Sequence, residues 1–351
     1  MPIQEMDEAC NAASRVQAST GLPARGRSSL LHSAPMRRPL PAAAINRCTS
    51  DSSDQRTETA SIQSARTVLC CCFMRVLALS PGSVQQQLQR LPALAAVAEQ
   101  LGGTLQVAAP AGSREVWTLL PAMEKLIPFP FDAAPTLADW ANLLGSVREP
   151  DFQVCLNFAE GRQVNLMLSM SHIPTRIASS GFASTAIARP TEGWSAQQPQ
   201  GFLAAIGLSL DANSFRLSLP ATALNEAQAQ QPAGEGPMLL LAPGGGSHDW
   251  PAERWHSLPD TIRTRLANLR CRALPPGGSL LSRAASIASA DVVLSSCPIS
   301  QLLAVYSGVP LVALGADPQQ LPARAGLKAL PAPAGGLPSL DPQDVLSALG
   351  F

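Results

Sequence analysis

The sequence predicts an α/β protein of two doubly wound domains facing each other across a cleft, starting at Met74. Three observations carry that reading. Short apolar runs alternate with helix-period segments from Met74 to about Arg189, and again from Met238 onward. Each strand, helix and following strand fits within about 35 residues, the span of a βαβ unit, which requires a parallel sheet covered by helices. Between the two runs, from Arg189 to Gly236, the rhythm lapses into turn and linker composition such as Gln197-Gln198-Pro199-Gln200 and Ala227 to Pro232. The division expected is therefore an extension over residues 1–73, a first domain over 74–190, a linker over 191–236 and a second domain over 237–351.

Met74 to Leu79 is an apolar run closed by the turn Ser80-Pro81-Gly82, a buried strand. Leu91 to Leu101 places Leu91, Leu94, Ala95, Ala98 and Leu101 on one helix face and stops at Gly102-Gly103. Thr104 to Ala108 is the second strand. The pattern then predicts a helix over Trp117–Leu126, an extended Ile127–Phe131, a helix over Leu137–Val147, a strand Phe152–Leu156, a short helix Val164–Met170 and a strand Thr175–Ala178. One helical patch, near Phe202 to Ile206, falls in the linker. In the second half, Met238–Ala242 is a strand followed by the turn Pro243 to Ser247. Then come a helix Ala252–Leu269 interrupted at Pro259, a helix Ser279–Ala290, a strand Asp291–Leu294, a helix Gln301–Tyr306 ending at Gly308, and a strand Val309–Leu314.

Composition excludes several classes. Of 351 residues, 46% are hydrophobic and 14% charged, with 32 Pro and 25 Gly, so the chain has the means to build a core and is rich in turns. The formal net charge is zero, Lys125 and Lys328 are the only lysines and Tyr306 the only tyrosine. Nucleic-acid binding wants a positive field and stacking aromatics, and neither is present. No apolar run reaches the roughly 18–20 residues of a membrane span. Cys10, Cys48, Cys70, Cys71 and Cys72 precede Met74, while Cys155, Cys271 and Cys297 are scattered singly, which is neither a disulfide framework nor a zinc site. A reducing compartment without a structural metal or cofactor is expected.

Residues 1–73 carry eight Arg, no Lys and six acidic residues without periodicity. Glu5, Asp7 and Glu8 argue against a secretory signal. Three readings stand: a disordered extension, translated sequence upstream of a start at Met74, or an organelle-targeting peptide.

Ligands of open parallel sheets sit at the carboxyl ends of strands. Two such ends stand out. The first is Ser80-Pro81-Gly82-Ser83-Val84. The second is Pro243-Gly244-Gly245-Gly246-Ser247-His248, where three glycines let backbone N–H groups approach an anion, and Ser247 and His248 add donors. Asp249, Pro251 and Glu253 follow at a helix start whose dipole favours a phosphate. The same glycines also read as a simple flexible loop. His248 and His256 lack the spacing of a metal pair, His172 reads as structural, and Arg263, Arg265, Arg270 and Arg272 form a solvated face from which one guanidinium could reach a phosphate. Cys297, between Ser296 and Pro298, is reachable by a ligand but has no evident base.

Leu240 to Ser247, followed by Trp250-Pro251-Ala252-Glu253-Arg254-Trp255, resembles the "pGs…rWPxerw" segment of glycosyltransferase family 9, which includes the ADP-heptose:lipopolysaccharide heptosyltransferases. Leu281 to Leu294 and Ser307 to Gly315 resemble its late "elaalia.adlvv…a.GvPvvalfG" region. Pro81-Gly82 with Leu91-Pro92-Ala93-Leu94 is similar to its first turn and "tlPaL" helix, and Thr136–Gly145 and Ile173–Ile177 are similar to segments of cyanobacterial members. The likeness runs in order over roughly residues 74–320. It implies a GT-B architecture of two Rossmann-like domains, an acceptor domain first and a nucleotide-sugar domain second. It further implies inverting, metal-independent transfer from an ADP-sugar donor to a lipopolysaccharide or surface-glycan acceptor. A carboxylate of the first domain would take the acceptor's proton, and amide and basic groups of the second would stabilise the leaving diphosphate.

On that resemblance Gly244, Gly245, Gly246, Ser247, His248, Cys297 and Ser300 are the donor and phosphate residues, and Gly82 and Ser83 the acceptor side. The departures fall on the chemistry. Gln86 stands where the family has its early Asp, and His248 where it has a Lys before "rWP". In place of "DSGPxH" stands Cys297-Pro298-Ile299-Ser300-Gln301-Leu302. The segment between Leu258 and Arg270 looks short, as though a strand and its turn had been removed. Glu160, after a strand end, is the candidate replacement base. The expected function is thus a family 9-type glycosyltransferase with a degenerate site, cytoplasmic or peripheral at the inner face of the plasma membrane, with a glycolipid acceptor. The alternative is an inactive GT-B protein that binds a nucleotide-sugar or a partner protein.

Overall fold

The computed structural model describes residues 74–189, 191–275 and 277–351; the readings made for residues 1–73 lie outside them. Strand β1 (Arg75–Leu79) sends alternate side chains to two cores, as a strand must. Val76 and Ala78 join one apolar cluster and Leu77 and Leu79 another. Helix α1 (Val84–Leu101) follows and ends on Gly102, whose φ of 59° is the left-handed cap expected there. Strand β2 (Thr104–Ala109) pairs with β1 in parallel, Val76 opposite Leu105. After the short helix α2 (Arg114–Trp117) the chain forms β3 (Met123–Pro128).

This corrects the helix expected over Trp117–Leu126. Pro121 disfavours helical backbone at Leu120 and has no N–H to give, and the chain restarts as an edge strand with only Ile127 buried. Helix α3 (Leu137–Arg148), β4 (Val154–Asn157), α4 (Arg162–Ser169), β5 (Thr175–Ala178) and β6 (Ala186–Ile187) complete the first half. Its parallel sheet has the order β3-β2-β1-β4-β5-β6, so the strand order reverses between β1 and β4.

The linker is more structured than its composition suggests. Helix α5 (Gln200–Ala204) packs on α1, and α6 (Ala221–Ala229) is a second helix within it. The second half contains β7 (Met238–Ala242), α7 (Ala252–Arg263), β8 (Arg270–Ala273), α8 (Leu280–Ala288), β9 (Val292–Ser295), α9 (Pro298–Ser307), β10 (Leu311–Leu314), β11 (Leu327–Leu330) and α10 (Pro342–Leu349). Helix α6 packs on α8. Helix α7 continues through Pro259 and stops at Arg263, short of the expected Leu269. The strand thought missing near Arg270 is present as β8, pairing Met238 with Arg270 and Leu241 with Ala273. The second sheet, β11-β10-β9-β7-β8, reverses between β7 and β9.

One apolar cluster runs through both halves. Val76, Leu88, Leu91 and Val107 belong to it together with Met238, Leu240, Leu303 and Tyr306. Leu239, Leu241, Trp250 and Trp255 form a separate core on the other face of the second sheet. Helices α1 and α9 pack directly against each other. The two sheets are thereby fixed in a shared interior, and the ends of β7 and β9 are brought under α1.

Candidate functional site

Both reversal points carry loops singled out in the sequence. In the second sheet the glycine turn leaves β7 and Ser296 follows β9. A cleft of about 230 Å³ opens there. Gly244, Gly245, Gly246 and His248 line it from the turn, Ser296, Pro298, Gln301 and Leu302 from the β9–α9 corner, and Leu314 and Gly315 from the end of β10. Its other wall comes from the first half: Gln85 and Gln89, four residues apart and so on one face of α1. The Ser195 hydroxyl donates to the Gln320 carbonyl at 3.3 Å, tying the linker to the rim.

The turn is stitched internally. Gly244 N–H donates to Ser296 Oγ at 2.7 Å, bridging the two strand ends. Gly245 N–H donates to Asp249 Oδ2 at 2.8 Å, and Trp250 N–H to Asp249 Oδ1 at 2.7 Å. Gly245 and Gly246 have φ of 79° and 85°, conformations that glycine adopts without the Cβ penalty. The Trp250–Trp255 segment that carries much of the resemblance is a packing device. Trp250 is buried, stacks edge-on to Trp255 at 5.3 Å, and donates from Nε1 to the Leu340 carbonyl. Arg254 donates to the Pro338 and Leu340 carbonyls, which holds Leu337 at the cleft wall.

Three donor-side expectations fall off the cleft wall. Ser247 is exposed outside it. Cys297 is buried at the start of α9, its N–H donating to Ser295 Oγ at 3.1 Å. Ser300 is fully buried and accepts from Arg283 Nη1 at 3.1 Å. Cys297 and Ser300 are taken up by the β9–α9 corner.

At the first reversal point the turn Ser80–Ser83 is also braced from within. Gln87 is fully buried, and its Nε2 donates to the carbonyls of Ser80, Pro81 and Gly82 at 2.8, 3.0 and 3.2 Å. Arg90 donates to Ser80 Oγ at 2.9 Å and lies 4.9 Å from the Phe158 ring centroid. Burial lowers its pKa to about 10, against the opposing pull of Asp132. Gln86 works as a helix cap: Ser83 N–H donates to its Oε1 at 2.9 Å and Gln86 N–H to Ser83 Oγ at 3.4 Å. Gly82 has a φ of 95°, which favours glycine, and an added Cβ would also displace that Oε1 from the cap. Gly82 N–H donates to Asp132 Oδ2 at 3.2 Å. Glu160 is exposed and does not line the cleft.

Sequence reasoning missed Gln85, Gln89 and Asp132, and it named Asp249 and Ser296 without giving them the bonds they make to the glycine turn. Ser83 with Gln86 three residues on was a capping-box signal that would have started α1 early enough to include both cleft glutamines. Among the described residues, no group of three His, Cys, Asp or Glu could hold a metal ion, and no helix is long and apolar enough to cross a membrane.

No family model and no curated protein matches the sequence. Solved structures do match the fold. An ADP-heptose lipopolysaccharide heptosyltransferase II from E. coli superposes with a TM-score of 0.61 at 17% identity, covering 79% of this chain and 97% of that one. A glycosyl transferase of family 9 from Veillonella parvula gives 0.61 at 14% identity, covering 79% and 96%. The E. coli heptosyltransferase WaaC with ADP gives 0.57 at 18% identity, covering 79% and 99%. The chain thus has a two-domain, GT-B-like α/β fold, and the likeness at these identities is one of fold.

Proposed function

We propose that this chain is a glycosyltransferase of the family 9 type that holds a nucleotide-sugar in the cleft beneath α1 and transfers its sugar to a lipopolysaccharide or surface-glycan acceptor. The observation that carries the reading is the placement of the cleft. It lies where the strand order reverses between β7 and β9, with Gly244–Gly246 on one side and Gln85 and Gln89 of the other half opposite. Solved proteins of this fold include one with ADP, which supports the nucleotide assignment.

The acid–base apparatus differs from that implied by the resemblance. Gln86 cannot accept a proton and is spent on the α1 cap. Asp132 is exposed and off the cleft wall as Glu160 is, but it is the carboxylate that Gly82 N–H holds at the first turn, and on that ground we propose it as the base in place of Glu160. A second reading, binding without transfer, is favoured by one observation: Asp249 is the sole carboxylate on the cleft wall among the described residues, and backbone N–H groups occupy both its oxygens.

The test is calorimetric titration of the full chain with ADP-, GDP- and UDP-sugars, coupled to an assay for nucleoside diphosphate release with glycolipid acceptor extracts. Saturable binding that Gln89→Trp weakens by about tenfold or more supports the cleft. Release that Asp132→Asn slows by about a hundredfold while Glu160→Gln leaves it unchanged supports transfer. Binding without release selects the second reading, and no binding to any nucleotide-sugar overturns both.

A further inference from the structure

A diphosphate brought out of water needs cations or free N–H donors to replace its hydration. The cleft offers few. Among the described residues on its wall none is a lysine or arginine, and His248 is the one side chain there able to carry a positive charge. Two of the three glycine N–H groups are already committed, to Ser296 Oγ and to Asp249. Asp249 lies on the same wall, and its carboxylate would repel an approaching phosphate. The start of α9 reaches the cleft with Pro298 at its first position, which removes one of the N–H groups that a helix N-terminus normally presents.

What the wall does offer is amides. The side chains of Gln85, Gln89 and Gln320 make no hydrogen bond to the described residues. Each presents a donor and an acceptor, the pairing that matches hydroxyls and base edges. Leu302 and Leu321 add apolar surface beside them. We infer that the cleft recognises its ligand by an uncharged, hydroxyl-rich portion, a nucleoside or a sugar, and that a diphosphate adds nothing to affinity. This rests on the nucleotide-sugar reading above and names the part of such a ligand that binding uses. Asp249, by holding Gly245 and Trp250, is the element that sets this preference.

The test is titration of the full chain with adenosine, guanosine and uridine, with their diphosphates, and with methyl glycosides of common hexoses. A neutral probe binds at least as tightly as any diphosphate, and its affinity changes by less than about twofold between roughly 0.05 and 0.5 M NaCl, since no ion pair is screened. Whether nucleosides or glycosides do so identifies which source supplies the hydroxyls. Asp249→Asn keeps an oxygen for the turn and removes the charge, so diphosphate affinity rises by about tenfold with nucleoside affinity unchanged. A wild-type chain that binds a diphosphate about tenfold more tightly than every neutral probe overturns the inference and leaves the functional reading standing. Binding of no probe in either class overturns the functional reading and the inference with it.

Discussion

The Tyr306 hydroxyl donates to the Leu88 carbonyl at 2.9 Å, across the boundary between the two halves. Leu88 precedes Pro92 by four residues within α1, and Pro92 has no N–H to close that helical bond. The single tyrosine of the chain therefore satisfies the carbonyl that the helix proline leaves open, in a fully buried setting. A local helix defect becomes a specific joint between α1 and α9, and it lies on the helix that carries Gln85 and Gln89.

Removing the hydroxyl strands that carbonyl. Tyr306→Phe costs about 1–3 kcal/mol in urea unfolding, the penalty of an unpaired buried acceptor. Pro92→Ala restores an N–H at the right position, so the cost of Tyr306→Phe in the Pro92→Ala background falls by about half or more. Additive effects of the two substitutions would contradict the joint.

Alkaline pH loosens the fold. Burial pushes the Cys155 thiol from its ordinary 9.0 up to about 12 and Cys271 up to about 11, and it raises Tyr306 well above its ordinary range. The folded state holds these protons more tightly than the unfolded state does. Their contribution is fully present below about pH 9 and is lost as pH rises toward 12. Unfolding midpoints fall from pH 9 to 11, and Cys155→Ala, though less stable at neutral pH, shows the shallower decline.

Gln87→Leu keeps the volume and removes the three hydrogen bonds from Gln87 Nε2 to the Ser80–Gly82 carbonyls. Three carbonyls lose a buried donor, and thermal or urea unfolding registers a loss of about 2–3 kcal/mol. Hydrogen exchange at Gly82 and Ser83 accelerates before the core does.

Glycine substitutions separate turn from helix. Gly145 lies within α3, exposed, with no atom within 4 Å of an added Cβ, so Gly145→Ala stabilises by about 0.5–1 kcal/mol. Gly245→Ala and Gly246→Ala force a Cβ into positive φ and cost about 1–2 kcal/mol each. Denaturant midpoints of the three variants fall on opposite sides of the parent's.

Most of the architecture was legible because buried parallel strands such as Leu77–Leu79 and Met238–Ala242 are continuous apolar runs bounded by glycine or proline. What escaped were elements without that signature. Arg270-Cys271-Arg272-Ala273 is an edge strand with no fully buried residue, and its arginines hid it. The first turns of α1 are a glutamine run with no apolar period, though they supply one wall of the cleft. At the site, the glycine turn was visible from residue type alone. The roles of Asp249 and Asp132 were not, because each is defined by a backbone N–H brought to it by the fold.

The central claim is that the ligand of this chain sits under α1 at the end of β7. A crystal structure of the full chain soaked with a nucleotide-sugar tests it most directly. The account predicts ligand density between Gln85 and Gln89 on one side and Gly244–Ser296 on the other, with the nucleoside or sugar against the glutamine amides. Density at any other surface, or an empty cleft at a ligand concentration that saturates binding in solution, would contradict it.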